Sequence, residues 1–298
     1  MPIFSIAEPI FARKEAISST IFSDSAEIKE EKREEKFMKK VFCLIFAFAL
    51  CALSAVTALG AGSSFSWYCK RQKDHIRPTA EGNMAFIEKY DGAYIGKNPD
   101  EKIVYLTFDA GYENGNVARV LDALKKHNAK GAFFILDNLA KRNGDLVRRM
   151  EEEGHFVCNH TARHKDMTKL SKEEFAEELH KLETVVNETT GVNVKKYYRP
   201  PEGRFSEENL RWAQELGYKT VLWSLAYADW DNNRQPEPEK AKKLILDNVH
   251  NGAVILLHPT SKTNADILDS LLSSLESEGY RFGTLDELFA CEKTGENG

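Results

Sequence analysis

The chain has 298 residues, of which 42% are hydrophobic and 29% are charged, and its formal net charge is -5. This composition is typical of a globular protein with a hydrophobic core and excludes an intrinsically disordered chain. The small negative charge provides no basic surface of the kind that binds nucleic acid, so a nucleic-acid partner is excluded as well.

The first feature in chain order is an export signal that begins at Met38. Two lysines precede a long apolar run, which ends in small residues around Gly60. This order is that of the n-region, h-region and cleavage region of a secretory signal peptide. Because the run is also long enough to cross a bilayer, we interpret residues 38–62 as a signal peptide or an uncleaved membrane anchor. Either interpretation predicts an exported protein, extracytoplasmic or associated with the cell wall.

Residues 1–37 lie upstream of this signal and contain the charged stretch EIKEEKREEKF. A signal behind an acidic, helix-prone leader makes little sense for export. We therefore expect translation to start at Met38 and interpret the leader as a misassigned extension. Residues 63–100 are expected to form an irregular N-terminal segment with one helix around Met84 to Tyr90.

A single catalytic domain is predicted for residues 101–291, where short apolar runs alternate with amphipathic stretches. The runs predict strands in KIVYLTFD, GAFFIL, HFVCNH, KKYYRPP, KTVLWSLAYADW, GAVILLH and, more weakly, YRFGTL. The stretches predict helices in NVARVLDALKKHN, LVRRMEEEG, KEEFAEELHKLETVVNETTG, SEENLRWAQELG and NADILDSLLSSLESEG. Such alternation is typical of a parallel α/β sheet, either open or closed into a barrel.

Ionisable side chains stand at the ends of several predicted strands, where parallel α/β proteins gather their active sites. Asp109 ends the first run, His160 the third and Arg199 the fourth. Asp229 follows the fifth run, and His258 ends the sixth. One such residue alone would indicate a helix cap or a core histidine, but five at corresponding ends predict a shared active site.

The residue types favour metal-assisted hydrolysis of an amide or ester. His160 and His164 are four apart, so one turn of helix would point both imidazoles the same way, as metal ligands do. His258 is suited to act as a general acid, and Asp229 could hold its ring and raise its pKa. Arg199 could clamp Asp109 and keep it ionised.

These residues fall in motifs through which the chain resembles the polysaccharide deacetylase family. In order they are TFDAG at 107–111, HTARH at 160–164, RPPEG at 199–203, DW at 229–230 and LLH at 256–258. The resemblance implies a distorted (β/α) barrel that removes acetyl groups from amino sugars. The longer stretches LTFDAGYENG, RPPEGRFSE, ADWDNN and LLHPTSKTNADILD resemble the branch that makes the δ-lactam of spore cortex. That branch acts on N-acetylmuramic acid in peptidoglycan strands, after an N-acetylmuramoyl-L-alanine amidase has removed the stem peptide.

The family's roles are carried over residue by residue. Asp109 would be the general base with Arg199 as its orienting partner, and His160 and His164 would bind a divalent metal, for which zinc is expected. His258 would protonate the leaving amine, with Asp229 tuning it. Two further residues, in the third and fourth motifs, would contact substrate: Glu202, through its backbone N–H in the oxyanion hole or its side chain, and Trp230.

One position departs from the family pattern and leaves alternatives open. Most members carry a second aspartate, a metal ligand, where this chain has Ala110. Because zinc sites normally keep three protein ligands, we expect weaker metal binding here. The alternatives are a deacetylase of N-acetylglucosamine in peptidoglycan or chitin-like oligomers, a glycosidase that uses Asp109 and Asp229 as its carboxylate pair, and a non-catalytic glycan-binding relic.

Overall fold

The structure, a computed structural model, describes residues 33, 36–41, 63–82 and 84–290. The chain divides into units of residues 1–61 and 62–298. In the first unit residues 36–41 are helical, and nearly all of the predicted leader and of the signal or anchor at 38–62 lies outside the described residues. No helix among the described residues is long and apolar enough to cross a membrane.

The second unit alternates strands and helices, as the apolar pattern predicts. The strands are β1 (Ser64–Ser66), β2 (Gly92–Ala93), β3 (Ile103–Ala110), β4 (Gly131–Ile135), β5 (Phe156–Asn159), β6 (Lys195–Tyr198), β7 (Arg204–Ser206), β8 (Lys219–Val221), β9 (Ala253–Leu257) and β10 (Arg281–Phe282). The α-helices are α1 (Val117–Lys126), α2 (Asp137–Arg142), α3 (Gly144–Glu152), α4 (Lys172–Thr190), α5 (Glu207–Glu215), α6 (Pro238–Asn248), α7 (Lys262–Ser277) and α8 (Leu285–Leu288). Short 3₁₀ helices occupy Met84–Tyr90, Met167–Lys169 and Pro201–Gly203.

The main sheet is parallel and curls into a half-barrel, which confirms the predicted distorted barrel. Its strands run in the order β9–β3–β4–β5–β6–β8–β2, and β10 pairs with the first residues of β3. Isolated bridges join Leu225, after β8, to Ile255 of β9 and Ile95, after β2, to Ala253 of β9, which brings the two ends of the sheet together. A separate ribbon pairs β1 with β7 in antiparallel orientation.

Strand β3 explains why a carboxylate ends a buried strand. Its side chains alternate between two faces. Leu106, Phe108 and Ala110 pack in the main cluster with the helices, whereas Tyr105 belongs to the cluster inside the barrel. Asp109 continues this inner face, so it emerges at the open, carboxyl-terminal end of the barrel, where parallel sheets leave room for ligands.

The structure corrects several element predictions. The predicted fifth strand is only Lys219–Val221 long, because the backbone N–H groups of Ser224 and Leu225 both bond to the Val254 carbonyl and the regular ladder stops. Asp229 therefore lies in a loop beyond the sheet. The N-terminal segment does contain the predicted helix, in 3₁₀ form, but it also supplies β1 and β2. Helices α2, α6 and α8 and strand β7 were not predicted.

Candidate active site

Arg199 and Asp109 form a buried ion pair at the open end of the barrel. The guanidinium of Arg199 is fully buried, and its Nη1 donates to Asp109 Oδ1 at 2.7 Å. Its Nη2 donates to Thr107 Oγ1 at 2.8 Å and its Nε to the Val221 carbonyl at 3.0 Å. The ring of Phe134 lies 4.2 Å from the guanidinium carbon. These contacts hold Arg199 in one orientation, so the predicted clamp on Asp109 is present.

The charges around Asp109 keep its carboxylate ionised. Burial by itself raises the pKa of Asp109, but the charge of the nearby Arg199 guanidinium, together with a smaller contribution from His258, more than offsets this. The net result is a pKa below the usual value of an aspartate. At neutral pH the group is therefore an anion that can accept a proton.

His160 is a neutral imidazole with a defined tautomer. Its Nδ1 lies 2.9 Å from the carbonyl oxygen of Arg199, and since a carbonyl only accepts, Nδ1 carries the proton. Burial lowers the pKa of His160 to about 4, so the ring is neutral and Nε2 carries a lone pair. The Nε2 atom lies 3.4 Å from Asp109 Oδ2. A backbone carbonyl holding one ring nitrogen while the other points inward is the usual support of a metal-binding histidine.

The HTARH motif is a strained loop, not the helical turn expected from its spacing. Thr161 has φ 71° and His164 φ 55°, a left-handed conformation that costs about 1–3 kcal/mol for a residue other than glycine. The His160 and His164 ring centroids are nevertheless only 5.0 Å apart. The two imidazoles therefore lie next to each other, while the predicted helical geometry is wrong.

His160 offers an inward-facing ring nitrogen and the His164 ring lies next to it, so two imidazoles are available to a divalent cation. His160 Nε2 and Asp109 Oδ2 are two acceptors that face each other, and a cation satisfies both. Ala110 occupies the position at which the family pattern has a carboxylate ligand. Its side chain is fully buried in the main hydrophobic cluster. The described part of the chain contains no group of three or more His, Cys, Asp or Glu residues that could hold a metal ion.

Asp229 and His258 form the second half of the site. Asp229 Oδ1 accepts from His258 Nδ1 at 2.8 Å, and Oδ2 accepts from the His258 backbone N–H at 2.8 Å. Burial opposes a charge on His258, but the charge and hydrogen bond of Asp229 raise the pKa of His258 above its usual value. The carboxylate of Asp229 is fully buried, whereas the His258 side chain is 24% exposed. His258 alone is thus presented to a substrate, which argues against Asp229 as a glycosidase carboxylate.

Glu202 and Trp230 lie at the rim. Glu202 has φ 55°, its side chain is largely exposed, and its backbone N–H has no hydrogen-bond partner within the described residues. Trp230 is 62% exposed, and its ring centroid lies 6.3 Å from that of His258. Both predicted substrate-contacting residues are therefore accessible, and Trp230 lies beside His258.

Sequence reasoning missed the residues that support these groups. Asn159 Oδ1 accepts from the Thr161 N–H at 2.8 Å, which holds the strained loop. Glu178 of α4 binds both Arg163 and Lys165 of that loop, and Asn264 of α7 binds Asp229. Glu178 and Asn264 lie in helical patterns that indicate only a helix, so the sequence carries no separate signal for either role.

The fold and this site define a hydrolase that acts on the C–N bond of an N-acetyl group. The family model described as polysaccharide deacetylase matches residues 96–221. The chain is 39% identical over 248 residues to the peptidoglycan-N-acetylmuramic acid deacetylase PdaA of Bacillus subtilis, covering 80% of this chain and 94% of that protein. The solved structure of Bacillus subtilis PdaA, a family 4 carbohydrate esterase, superposes with TM-score 0.73 at 40% identity, over 76% of this chain and 97% of that one.

A peptidoglycan-N-acetylglucosamine deacetylase of Bacillus cereus is also similar, at 34% identity over 215 residues, which covers 70% of this chain and 76% of that protein. These similarities extend over most of the relatives' length. The chain belongs to the polysaccharide deacetylase family.

Proposed function

We propose that the protein removes the acetyl group from N-acetylmuramic acid in peptidoglycan strands. The observation that supports this substrate most directly is the 39% identity to the muramic acid deacetylase over 94% of that relative, higher than the 34% shared with the glucosamine deacetylase. The arrangement of Asp109, His160, His164 and the Asp229–His258 pair at one end of the barrel supports the chemistry.

In this proposal Asp109 is the general base. It accepts a proton from the water that attacks the acetyl carbonyl, and Arg199 keeps the carboxylate ionised and oriented until then. Because the Arg199 side chain is fully buried, its guanidinium acts on the reaction through Asp109 and does not contact the substrate. Base catalysis by a positioned carboxylate typically contributes about 100- to 10,000-fold in rate.

His258 is the proposed general acid on the opposite side. The Asp229 carboxylate holds Nδ1, so Nε2 carries the proton that is delivered to the departing amine of the sugar. The backbone N–H of Glu202 donates to the oxygen that becomes negatively charged during attack. Trp230 offers an exposed ring on which a sugar can stack beside His258.

We propose zinc as the cofactor, held by His160 and His164. When bound, such a metal supplies Lewis-acid polarisation of the reacting acyl oxygen. The protein's contribution is the neutral His160 ring fixed by the Arg199 carbonyl and the loop that brings His164 to it. With two imidazoles rather than three protein ligands, we expect modest affinity.

The muramic target places the enzyme in the formation of the δ-lactam of spore cortex. N-acetylmuramic acid carries a lactyl carboxyl that is free only after an amidase has removed the stem peptide. The amine released by deacetylation can then close onto this carboxyl with loss of water. We therefore propose functional pairing with an N-acetylmuramoyl-L-alanine amidase during sporulation.

Defined glycan strands test the substrate assignment. Peptidoglycan strands are incubated with the protein with and without their stem peptides, and released acetate and muramic δ-lactam are measured. We expect acetate only from strands stripped of stem peptides. Acetate released equally from strands with intact stems, with glucosamine as the new amino sugar, would instead support the N-acetylglucosamine alternative. New reducing ends without acetate would support a glycosidase.

We also propose that the protein is exported through the signal at residues 38–62 and acts outside the cytoplasm. Its support is the order of lysines, apolar run and small residues after Met38. Mass spectrometry of the native protein is expected to recover peptides that begin near Ser63. Recovery of peptides from residues 1–37 would contradict the expected start of translation at Met38.

A further inference from the structure

The first turn of α7 carries a buried asparagine that contacts both members of the acid pair. Asn264 is 1% exposed. Its Nδ2 donates to Asp229 Oδ2 at 2.6 Å and to the His258 carbonyl at 3.0 Å. Apart from His258 itself, Asn264 supplies the one side-chain hydrogen bond to the Asp229 carboxylate among the described residues.

Tyr227 binds the oxygen of this amide, while the two acceptors that face Nδ2 determine which way the amide points. Its hydroxyl donates to Asn264 Oδ1, and it is protonated because burial and the nearby Asp229 raise the pKa of Tyr227. A flipped amide would place Oδ1 against two acceptors, the Asp229 carboxylate and the His258 carbonyl, and would turn Nδ2 toward the hydroxyl. The chain Tyr227–Asn264–Asp229–His258 therefore has one consistent set of donors and acceptors.

We propose that Asn264, oriented by Tyr227, is a positioning residue for the general acid His258. One of its amide hydrogens fixes the Asp229 carboxylate and the other fixes the backbone of His258, so both ends of the Asp229–His258 hydrogen bond are held by one side chain. The inference rests on the proposed role of His258 as the acid. Because Asn264 is buried beneath the pair, it acts on rate without contacting the substrate.

Helix α5 provides a matched control. Asn209 is also a buried asparagine at the third position of its helix, after a serine cap, and its Nδ2 donates to a backbone carbonyl, that of Met167. It has no hydrogen bond to Asp229 or His258. Asn209→Leu and Asn264→Leu thus remove the same side chain from similar helix starts, but only the second change reaches the acid pair.

The test combines these variants with the acid itself. kcat and KM for deacetylation of stem-free muramic glycan are measured for the wild type, Asn264→Leu, Asn209→Leu, His258→Ala and the double variant Asn264→Leu/His258→Ala. Tyr227→Phe is included because it leaves Asn264 in place and only releases its amide, so it remains informative if Asn264→Leu does not fold.

We expect Asn264→Leu to lower kcat by about 10- to 100-fold with little change in KM, as small misplacements of catalytic groups do. Tyr227→Phe should lower kcat in the same direction by less, and Asn209→Leu should leave kcat near wild type. In the His258→Ala background, Asn264→Leu should have no further effect, because it acts through His258.

Two results would overturn the positioning role, and a third would remove its premise. An equal loss from Asn264→Leu with and without His258 would show a general structural effect, and wild-type kcat in both Asn264→Leu and Tyr227→Phe would show no effect at all. If His258→Ala itself retained wild-type kcat, the proposed acid would be wrong, and the inference would fall with it. The His258→Ala measurement alone thus distinguishes failure of the proposed function from failure of the positioning role.

Discussion

The two halves of the site are built differently. On the acid side, Asp229 receives hydrogen bonds from His258 and Asn264 and is closed off from solvent, so the protein alone completes the arrangement. On the base side, Asp109 Oδ2 and His160 Nε2 face each other as two acceptors, and His164 sits on strained backbone. On the acid side, protein groups satisfy every hydrogen bond described above. On the base side, the facing acceptors Asp109 Oδ2 and His160 Nε2 need a bound cation, water or substrate as their partner.

This difference shows which part of the site contains energetically costly backbone conformations. Left-handed backbone at non-glycine residues is costly, and it persists only where surrounding contacts enforce it. Thr161, His164 and Glu202 all have positive φ and all lie in the site motifs. No described residue from 226 to 264, the segment that carries the acid pair, shows this conformation outside glycine. Within the site motifs, left-handed backbone is thus confined to the segments that we propose bind metal and the reacting acyl group.

The largest expected effect comes from removing the base. Asp109→Asn keeps the shape but can no longer take up the proton, so kcat should fall by about 100- to 10,000-fold. Rates are compared with those of Asp122→Asn, which breaks an exposed aspartate–arginine pair with Arg149. Because Arg199 would lose its buried counter-ion, the thermal midpoint is measured in parallel and should also fall. A folded Asp109→Asn protein with near wild-type turnover would show that Asp109 is not the base.

The next effect is on the pH dependence of the acid side. His258 must be protonated to act as an acid, so kcat should decline as pH rises through its pKa. The Asp229 charge raises the pKa of His258, so Asp229→Asn should lower it and move the alkaline limb of the kcat profile to lower pH. The imidazole remains, so the loss near neutral pH should be less than the about 100-fold typical of losing a general acid. If the alkaline limb of the Asp229→Asn profile stays at the wild-type pH, Asp229 does not set the pKa of the general acid.

These two halves were not equally visible in the sequence. Asp109, His160, Arg199 and His258 end strands, and the rule that parallel sheets place sites there was sufficient to bring them together. The loop geometry at His164 could not be predicted, since HTARH contains no glycine that would indicate left-handed backbone. Asn264 is 35 residues from Asp229, and its pattern indicates only the start of a helix.

Loosening the strained loop should have an intermediate effect. Glu178 is almost fully buried and accepts from Arg163 Nη2 at 2.7 Å and from Lys165 Nζ at 2.8 Å, on either side of His164. Glu178→Gln removes the charge that holds both, so zinc affinity should fall by about 10- to 100-fold, as changes to residues that support metal ligands do. Zinc is titrated calorimetrically into this variant and into Glu177→Gln, an exposed change on the same helix. Equal zinc affinity in the two variants would contradict the role of Glu178.

The smallest expected effect is a gain in zinc affinity when Ala110 is replaced. It is also the sharpest test of the contrast between the two sides. Ala110→Asp would place a carboxylate at the position where the family pattern has a metal-binding aspartate, and zinc prefers a third protein ligand. The gain should be limited to about tenfold in Kd, or about 1.4 kcal/mol, because strand alternation directs position 110 toward the main apolar cluster and away from the face of Asp109.

The same burial predicts a second, separate signature of this change. Without metal, a carboxylate in the apolar cluster is costly, so Ala110→Asp should lower the thermal midpoint, and zinc should restore more of it than zinc adds to the wild type. Ala110→Asn, similar in size but uncharged, is the control and should lower the midpoint without the zinc-dependent recovery. Activity need not rise, because a second anion next to Asp109 raises the pKa of that base. If the two variants respond to zinc as the wild type does, position 110 does not reach the metal. If the wild type itself binds no zinc, His160 and His164 act on substrate or water by hydrogen bonding instead.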